Sequence, residues 1–348
     1  MVSIIWSVSS NPSIYRDGAY SCCVFEDTLF VVGFDETSGL GKQRYRIETR
    51  RISDGSPIGR WSDDKAYSFA SLFSCVVVKN KVVVVGATES SWSVIAFDKK
   101  LNVVARKDFE KPRFIPYSVD SDGDIVLVGG IELVGEKAYA IRVEVLSADD
   151  LSPIGFYTSN PMGKNAGAYS IIYNPTVKNV IVGGFDELDG ARKWRVEILS
   201  RDLSLTRIAR LDLNGSVTGL AVDSQGFVYA VGRGGVAKID RNGSVVSTTR
   251  AVSGAQVIAS PSDSRPIGRY IGVVSDNSFY LLDKNLGMVD RAIFTREAEA
   301  TFVGQGRPAM DSEKIYIAAS TIVTDVDWGW RVIALNPSPS MFRRIFRT

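Results

Sequence analysis

The chain has 348 residues, of which 45% are hydrophobic and 23% are charged, an ordinary composition for a soluble globular protein. Its 41 basic and 39 acidic residues give a net charge of +2, which is too balanced for a protein that binds nucleic acid, and no apolar run approaches the roughly 18 residues of a membrane span. The sequence contains no histidine, which excludes Ser-His-Asp triads, Cys-His dyads and histidine-ligated metals.

The N-terminal segment Val2–Val8 is apolar but short, and no basic residue precedes it. It does not have the pattern of a secretory signal peptide, so we expect a cytoplasmic protein. The odd number of cysteines, three, also argues against the disulfide framework of a secreted domain. Because the segment has the length of a single β-strand and precedes the first internal repeat, we predict that it pairs with a strand near Arg331–Leu335.

A β-strand pattern that ends in Val-Gly, or in residues matching it, recurs seven times at intervals of roughly 40 to 55 residues. The copies are Leu29–Gly33, Val82–Gly86, Ile125–Gly130, Val180–Gly184, Val228–Gly232, Tyr270–Val274 and Ile315–Ala319. Each copy follows a strand and a polar turn, and it precedes a variable loop and two further strands. No stretch of about ten residues or more has helical periodicity. Repeats of this length are typical of propeller blades.

The sequence therefore predicts an all-β protein, a single seven-bladed β-propeller over residues 1–348 with four-stranded blades, closed by the N-terminal strand. The predicted blades cover approximately residues 10–64, 65–110, 111–164, 165–213, 214–252, 253–296 and 297–340, and residues 2–8 complete the last blade. The strands are nearly continuous Val/Ile runs, as expected where blades pack face to face and bury both faces of each strand.

The Val-Gly-Gly pairs at Gly129–Gly130 and Gly183–Gly184, each followed by a loop and a third strand that contains an aromatic residue, resemble kelch-type repeats. The resemblance spans blades 1 to 4 and implies a propeller. Kelch-like propellers are mostly binding platforms, with occasional enzymes such as the copper oxidases, whose copper ligands include histidine. A chain without histidine cannot carry that copper site.

The loops between the second and third predicted strands are acidic in three blades, and in propellers these loops share the top face with the connections between blades. The candidate binding residues there, with two from blade 7, are Asp35, Glu36, Glu132, Asp186, Glu187, Asp325 and Asp327, and Glu136 and Asp189 lie beside them. Such carboxylates suit a basic partner or a hard cation such as Ca²⁺. Alternatively, they are ordinary solvated loops whose similarity reflects blade duplication. No metal ligand is assigned and no cofactor is predicted, with Ca²⁺ as the alternative.

An aromatic residue followed by serine recurs at the start of the first strand in blades 1 to 4. The four aromatic residues are Tyr20, Phe73, Tyr117 and Tyr169. Equivalent positions in successive blades place the four rings in an arc. That arc either lines the mouth of the central channel, where it would form a site for a small molecule or a peptide, or packs between the blades.

The third predicted strands of blades 1, 3 and 4 share an Arg-x-Glu pattern. The pairs are Arg46/Glu48, Arg142/Glu144 and Arg195/Glu197. A spacing of two residues places both charges on one face of a strand, which predicts ion pairs between blades or at the outer rim.

Cys22 and Cys75 occupy the same position in the first strands of consecutive blades. A disulfide between them requires Cα atoms within about 7 Å, and adjacent inner strands usually diverge by more than that. We therefore expect three free, buried thiols. The basic and aromatic tail Met341–Thr348 is predicted to be a strand that adds to a blade or caps the propeller.

These features predict a binding or scaffold protein, a monomer, that presents the top face of the propeller to a protein or peptide partner. The alternative is a carboxylate- or metal-dependent hydrolase or lyase with its site at the mouth of the central channel. An ion on the channel axis, held by three or more acidic side chains, would favour the enzyme. Few glutamines, five methionines and three cysteines further indicate depletion of thermolabile residues and predict a thermophilic, archaeal source.

Overall fold

The computed structural model describes residues 2–110, 113–135, 138–160, 164–188, 190–259, 267–294, 301–303, 306–325 and 327–337. Within these ranges the chain forms 29 β-strands arranged in seven antiparallel sheets. The predicted all-β, seven-bladed propeller is confirmed. No helix in the described ranges is long and apolar enough to cross a membrane. The predicted C-terminal strand Met341–Thr348 lies outside the described residues.

Blades 1 to 4 each contain four strands that follow one another in space as they do along the chain. Blade 1 is β2 (Gly18–Phe25), β3 (Thr28–Asp35), β4 (Arg44–Arg51) and β5 (Pro57–Ser62). Blade 2 is β6 (Ala70–Val78), β7 (Lys81–Thr88), β8 (Trp92–Phe97) and β9 (Val103–Phe109). Blade 3 is β10 (Phe114–Ser121), β11 (Ile125–Val134), β12 (Ala138–Ser147) and β13 (Pro153–Ser159). Blade 4 is β14 (Ala166–Asn174), β15 (Asn179–Asp186), β16 (Lys193–Leu199) and β17 (Leu205–Asn214).

Blades 5 and 6 have shorter strands in the same order, and blade 7 is built from both ends of the chain. Blade 5 is β18 (Gly219–Val222), β19 (Val228–Gly232), β20 (Gly235–Ile239) and β21 (Val245–Thr249). Blade 6 is β22 (Gln256–Ala259), β23 (Ile271–Val274), β24 (Ser278–Leu282) and β25 (Met288–Ile293). Blade 7 is β26 (Thr301–Val303), β27 (Ala309–Met310), β28 (Ile315–Ile322), β29 (Trp328–Asn336) and β1 (Ser3–Ser10).

The ring is closed by β1, which forms the outer strand of blade 7. It pairs antiparallel with β29, so that Ser3 lies opposite Asn336 and Ser10 lies opposite Trp330. The predicted pairing of the N-terminal segment with the strand near Arg331–Leu335 is therefore confirmed.

The apolar core is divided among the seven interfaces between neighbouring blades. Each of the seven apolar clusters in the described part of the chain combines side chains from two adjacent blades, including blades 7 and 1. This arrangement explains the uninterrupted valine run of β7, in which every residue after Lys81 is buried. Both faces of a central strand contact another blade, so neither face selects polar residues.

All three cysteines are free and buried, as expected. The Cys22 thiol donates to the Tyr316 carbonyl oxygen of blade 7 at 3.3 Å, whereas Cys75 lies with Cys23 in the core between blades 1 and 2. Successive residues of β2 thus face opposite neighbouring blades, which separates Cys22 from Cys75. Burial raises the pKa of the Cys22 thiol and keeps it protonated.

Candidate functional site

The predicted aromatic residues and acidic loops lie at one end of the propeller. The first strand of each of blades 1 and 4 begins beside the end of the second, so that Gly18 lies opposite Phe34 and Ala166 lies opposite Asp186. The aromatic positions and the acidic loops therefore share one end, which we call the upper face. The opposite end, where the turns between the first and second strands lie, is the lower face.

Each of the four predicted aromatic residues lies at an irregularity in its inner strand. The pairing register with the second strand shifts between Ala19 and Ser21, Leu72 and Ser74, Pro116 and Ser118, and Ala168 and Ser170. The residue inside each shift is the aromatic one. A β-bulge of this kind adds one residue to the strand and redirects its side chain away from the regular alternation.

The glycine of the repeated Val-Gly pattern lies opposite this bulge in all four blades. A Cβ on Gly33 or Gly184 would stand 1.8 Å from the carbonyl oxygen of Gly18 or Gly167, respectively. The equivalent distances are 2.4 Å for Gly86 and 2.1 Å for Gly130. No side chain fits at such distances, so only glycine is tolerated opposite the bulge. The Val-Gly pattern and the aromatic-Ser pattern therefore belong to the same β-bulge, the first on the second strand and the second on the inner strand.

The bulges bring the four aromatic rings into a continuous arc, which we call the aromatic half-ring (Tyr20, Phe73, Tyr117 and Tyr169). Ring centroids are 5.5 Å apart between Tyr20 and Phe73, 5.3 Å between Phe73 and Tyr117, and 5.0 Å between Tyr117 and Tyr169. These tilted and edge-on contacts are the favoured geometries of aromatic pairs. The half-ring stands at the upper end of the inner strands and also joins neighbouring blades.

The tyrosines of the half-ring combine apolar rings with hydroxyl groups. All three are half-buried, whereas Phe73 is buried. Burial raises the pKa of Tyr117 to about 12, and the nearby phenols of Tyr169 and Tyr20 act in the same direction. The Tyr117 hydroxyl therefore stays protonated near neutral pH and can donate a hydrogen bond. Such a surface suits contact with a partly apolar ligand.

Two of the four serines that follow the aromatic residues have a role that sequence reasoning missed, although the repetition of the serine was a signal. Ser74 of blade 2 accepts a hydrogen bond from the Val119 backbone N–H of blade 3 at 3.3 Å. Ser118 of blade 3 accepts one from the Ile171 N–H of blade 4 at 3.1 Å. Adjacent inner strands do not form a β-ladder, so these hydroxyl groups satisfy backbone donors that would otherwise be unpaired.

The acidic loop of blade 1 begins with a carboxylate that is wholly buried. Asp35 lies 3.3 Å from Arg44 and 3.2 Å from Arg46, and Arg46 also lies 2.8 Å from Glu48. Burial opposes ionisation of Asp35, but hydrogen bonds from Thr37 and the arginine charge together hold its pKa below the usual value. The group is therefore a partner in a buried ion-pair network.

Blades 3 and 4 repeat this arrangement. Arg195 lies 3.1 Å from Asp186 and 2.6 Å from Glu197. In blade 3, the half-buried Glu132 lies 3.5 Å from Arg142, which also lies 2.7 Å from Glu144. We call these networks the acid–arginine–glutamate triads. The Arg-x-Glu pairs were expected between blades or at the outer rim, and this was wrong because each arginine instead binds the carboxylate at the end of its own second strand.

The other predicted acidic residues are dispersed. Glu36 is buried and accepts from the Gln43 side chain at 3.4 Å, and the half-buried Glu187 lies 3.1 Å from Arg192. Asp325 is exposed, whereas Asp327 is half-buried and accepts from Asn11 at 3.1 Å. Glu136 and Asp189 lie outside the described residues. In the described ranges, no three potential ligands among Cys, Asp and Glu are grouped to hold a metal ion.

A further buried carboxylate, Asp17, was not singled out from the sequence. It accepts hydrogen bonds from the Ser13 N–H at 2.8 Å and the Glu36 N–H at 2.9 Å, and thus ties the connection between blades 7 and 1 to the acidic loop. Burial raises its pKa to about 6, although both hydrogen bonds act against this, and the charge of Asp35 raises it further.

No family model matches the chain, and no curated protein matches its sequence. Among solved structures, it is similar to the WD40 domain of Pan2 from Neurospora crassa, with a TM-score of 0.65 and 11% identity, covering 98% of this chain and 97% of that chain. The chain shares the β-propeller fold.

It is also similar to Sqt1 from Chaetomium thermophilum bound to the N-terminus of the ribosomal protein L10, with a TM-score of 0.57 and 14% identity over 97% of this chain and 100% of that chain. A quinohemoprotein alcohol dehydrogenase from Pseudomonas putida has a TM-score of 0.55 and 9% identity over 97% of this chain and 77% of that chain. Similarities at these identities establish the fold alone. They do not single out the kelch type.

Proposed function

We propose that this propeller is a binding platform that docks a protein or peptide partner on its upper face, with the aromatic half-ring as the contact surface. The proposal rests on the unbroken series of ring contacts from Tyr20 to Tyr169. Three of the four residues in this series are half-buried tyrosines. Tyrosine is enriched at protein interfaces because one side chain offers a large apolar area and a hydrogen-bonding group.

Two further observations support a partner-binding role. The solved structure of Sqt1 contains a peptide segment of another protein, which makes peptide binding a use of this fold. In addition, the carboxylates Asp35 and Asp186, which would be needed for a catalytic or cation-binding cluster, are already neutralised by arginines within their blades. No specific observation favours the alternative of a hydrolase or lyase, and Ca²⁺ as a ligand stays an untested alternative.

We further propose that the protein works as a monomer in the cytoplasm. Free and buried cysteines are compatible with a reducing compartment. The proposed docking needs no cofactor. A kelch-type ancestry of blades 1 to 4 is part of the same proposal, because the doubled glycines at 129–130 and 183–184 stand opposite the bulges that build the half-ring.

A random peptide library displayed on phage tests the docking surface. Peptides enriched on the wild-type protein are synthesised, and their dissociation constants are measured by fluorescence polarisation. We expect Tyr117→Leu and Tyr169→Leu each to weaken binding by roughly tenfold or more, as for central aromatic residues of interfaces. The matched control is Phe156→Leu, since Phe156 is an exposed aromatic residue on the outer strand of blade 3.

Circular dichroism and thermal unfolding establish that each variant is folded before binding is compared. A failure to enrich any peptide on the wild-type protein, or equal affinities for the wild type and both half-ring variants, would overturn the proposal. Loss of affinity in the Phe156→Leu control to the same extent would place the contact surface on the outer strands instead.

A further inference from the structure

The inner strand of blade 7 is interrupted, and an arginine side chain from the interrupted segment extends across the central channel. β26 and β27 both pair with β28, and Gly306, Arg307 and Pro308 between them belong to no strand. Gly306 packs on blade 1 so closely that a Cβ would lie 2.2 Å from the Ser21 Cβ. The Arg307 side chain extends to the other side, where Nη2 donates to the Val119 carbonyl at 2.7 Å and the Ile171 carbonyl at 3.2 Å. Arg307 therefore links blade 7 to blades 3 and 4.

A pocket of about 410 Å³ lies on the lower side of this link, bounded by the inner strands of blades 3 to 7. Its apolar wall is formed by Ile172, Leu220, Val222, Val257, Ala259 and Met310. Its charged groups are Arg307, Asp120 and Asp122. The volume and the mainly apolar lining with few polar groups are typical of small-molecule sites.

The acidic groups of the pocket are already bound. Asp120 accepts from the Tyr173 N–H at 2.7 Å and lies 3.1 Å from Arg307. Asp122 accepts from two backbone N–H groups of its own turn and lies 2.6 Å from Arg201. Neither carboxylate therefore offers a free site for a cationic ligand.

Arg307, in contrast, has side-chain N–H donors that no described residue of the protein accepts from. All of its side-chain contacts in the described part of the chain are made by Nη2, while Nε and Nη1 have no hydrogen-bond partner there. The arginines of the three triads each bind two carboxylates, as Arg46 does with Asp35 and Glu48. Among the described residues, Asp120 is the one carboxylate that Arg307 contacts. Its unused donors are most favourably paired with a second carboxylate.

We propose that the lower pocket binds a small carboxylate with an aliphatic body, whose carboxylate accepts hydrogen bonds from Arg307 and whose body packs against the apolar wall. This site is separate from the aromatic half-ring, because it lies at the opposite end of the inner strands. The same chemistry is offered by a free aliphatic acid and by the C-terminal residue of an apolar peptide, and the experiment distinguishes the two.

Isothermal titration calorimetry with octanoate, in a buffer free of carboxylates, tests the proposal. We expect one octanoate per chain, a higher melting temperature by mass action, and binding of octanamide at least roughly tenfold weaker because it lacks the charge. A short peptide that ends in Leu-Leu with a free carboxylate is compared with its amidated form. Tighter binding of the free-acid peptide than of octanoate would identify a peptide C-terminus as the better ligand.

Two variants separate the site from non-specific binding. Arg307→Met removes the donors, and Ile172→Trp fills the pocket while leaving Arg307 in place, so each is expected to weaken octanoate binding by roughly tenfold or more. If Arg307→Met fails to fold, Ile172→Trp decides alone. The controls are Arg60→Met, an exposed arginine in blade 1, and Tyr117→Leu, which tests the upper face only; both are expected to bind octanoate normally. Equal affinities for octanoate and octanamide, several molecules bound per chain, or unchanged binding by Ile172→Trp would each overturn the proposal.

Discussion

The buried carboxylates of the triads make the stability of this protein depend on their ionisation. Glu48 lies 2.8 Å from Arg46 and 2.5 Å from Arg50. Burial opposes its charge, but the two arginines together lower its pKa below the usual value. A carboxylate whose pKa is lower in the folded state contributes stability above its unfolded pKa of about 4.3, and that contribution is lost as the pH falls through the folded value.

We therefore predict that Glu48→Gln lowers the free energy of unfolding by about 3 kcal/mol at pH 7, because it leaves two buried arginines without their shared partner. The difference from the wild type should shrink as the pH falls below the unfolded pKa of about 4.3, because the unfolded wild-type carboxylate then takes up a proton while the folded one still resists it. Urea unfolding at several pH values measures this. The exposed Glu26→Gln is the control, with an expected change below about 0.5 kcal/mol. A difference that stays constant from pH 7 to pH 3 would contradict the prediction.

At the residue scale, the sequence predicted where the charged residues lie more accurately than it predicted their roles. The Arg-x-Glu spacing correctly indicated a shared strand face, and the acidic loops were found. That Asp35 and Asp186 are wholly buried against those same arginines depends on how the second and third strands align, which a single sequence does not specify. The reach of Arg307 across the channel has no local signal at all, since its contacts lie more than a hundred residues away.

At the scale of secondary-structure elements, the bulge opposite the repeated glycine makes a definite prediction. Gly184→Ala would place a Cβ 1.8 Å from the Gly167 carbonyl oxygen, so β14 and β15 must separate. We expect a destabilisation of roughly 3 kcal/mol, at the upper end of overpacking effects. Gly155→Ala is the matched control, because no atom lies within 4 Å of a Cβ at that position. Chemical unfolding that gives both variants the same stability would show that the bulge relaxes freely.

The turns between the third and fourth strands contain leucines with a left-handed backbone. φ is 61° at Leu151 and 66° at Leu203. This conformation costs roughly 1 kcal/mol in a residue with a side chain. Leu151 is 1% exposed and belongs to the core between blades 2 and 3, whereas Leu203 is only half-buried.

Replacing these leucines by glycine therefore has two opposite effects on the stability of the fold. The loss of backbone strain stabilises it, whereas the loss of buried apolar area destabilises it. Leu151→Gly relieves the strain but loses a buried side chain worth about 2–5 kcal/mol, so we predict a net destabilisation of roughly 2 kcal/mol. Leu203→Gly should change stability by less than about 1 kcal/mol, because less buried area is lost. Thermal and urea unfolding of the two variants test this. A Leu151→Gly variant as stable as the wild type would mean that strain, and not burial, dominates in these turns.

For the whole molecule, repeat spacing was sufficient to predict the number of blades and the four-stranded pattern, because each of blades 1 to 6 is a local unit. The closing strand was predicted from the length of Val2–Val8 and its position before the first repeat. It could not predict where blade 7 breaks its inner strand, since β26 and β27 are too short to have a periodic pattern. The small number of thermolabile residues leads to one further expectation, a melting temperature above the mesophile range of about 45–65 °C. Scanning calorimetry decides it, and a value within that range would contradict a thermophilic source.

The ring closure gives the last prediction, because β1 is the strand that joins the two ends of the chain. Deleting residues 1–9 would expose the edge of β29 and remove Trp6 and Val8 from the core between blades 7 and 1. Unlike a disulfide, this closure is held by one backbone ladder and by apolar contacts in two clusters, since Val2 also lies in the core between blades 6 and 7. Its loss should therefore remove a large part of the roughly 5–15 kcal/mol that stabilises a typical domain.

We expect the deletion variant to unfold at a much lower urea concentration than the wild type, or to be recovered unfolded. The double substitution Ile4→Ser and Ile5→Ser is the control, since both side chains are exposed and the backbone ladder is retained. It should therefore unfold like the wild type. A deletion variant with unchanged stability would show that blade 7 holds its place without β1, and that the propeller is closed by packing between blades alone.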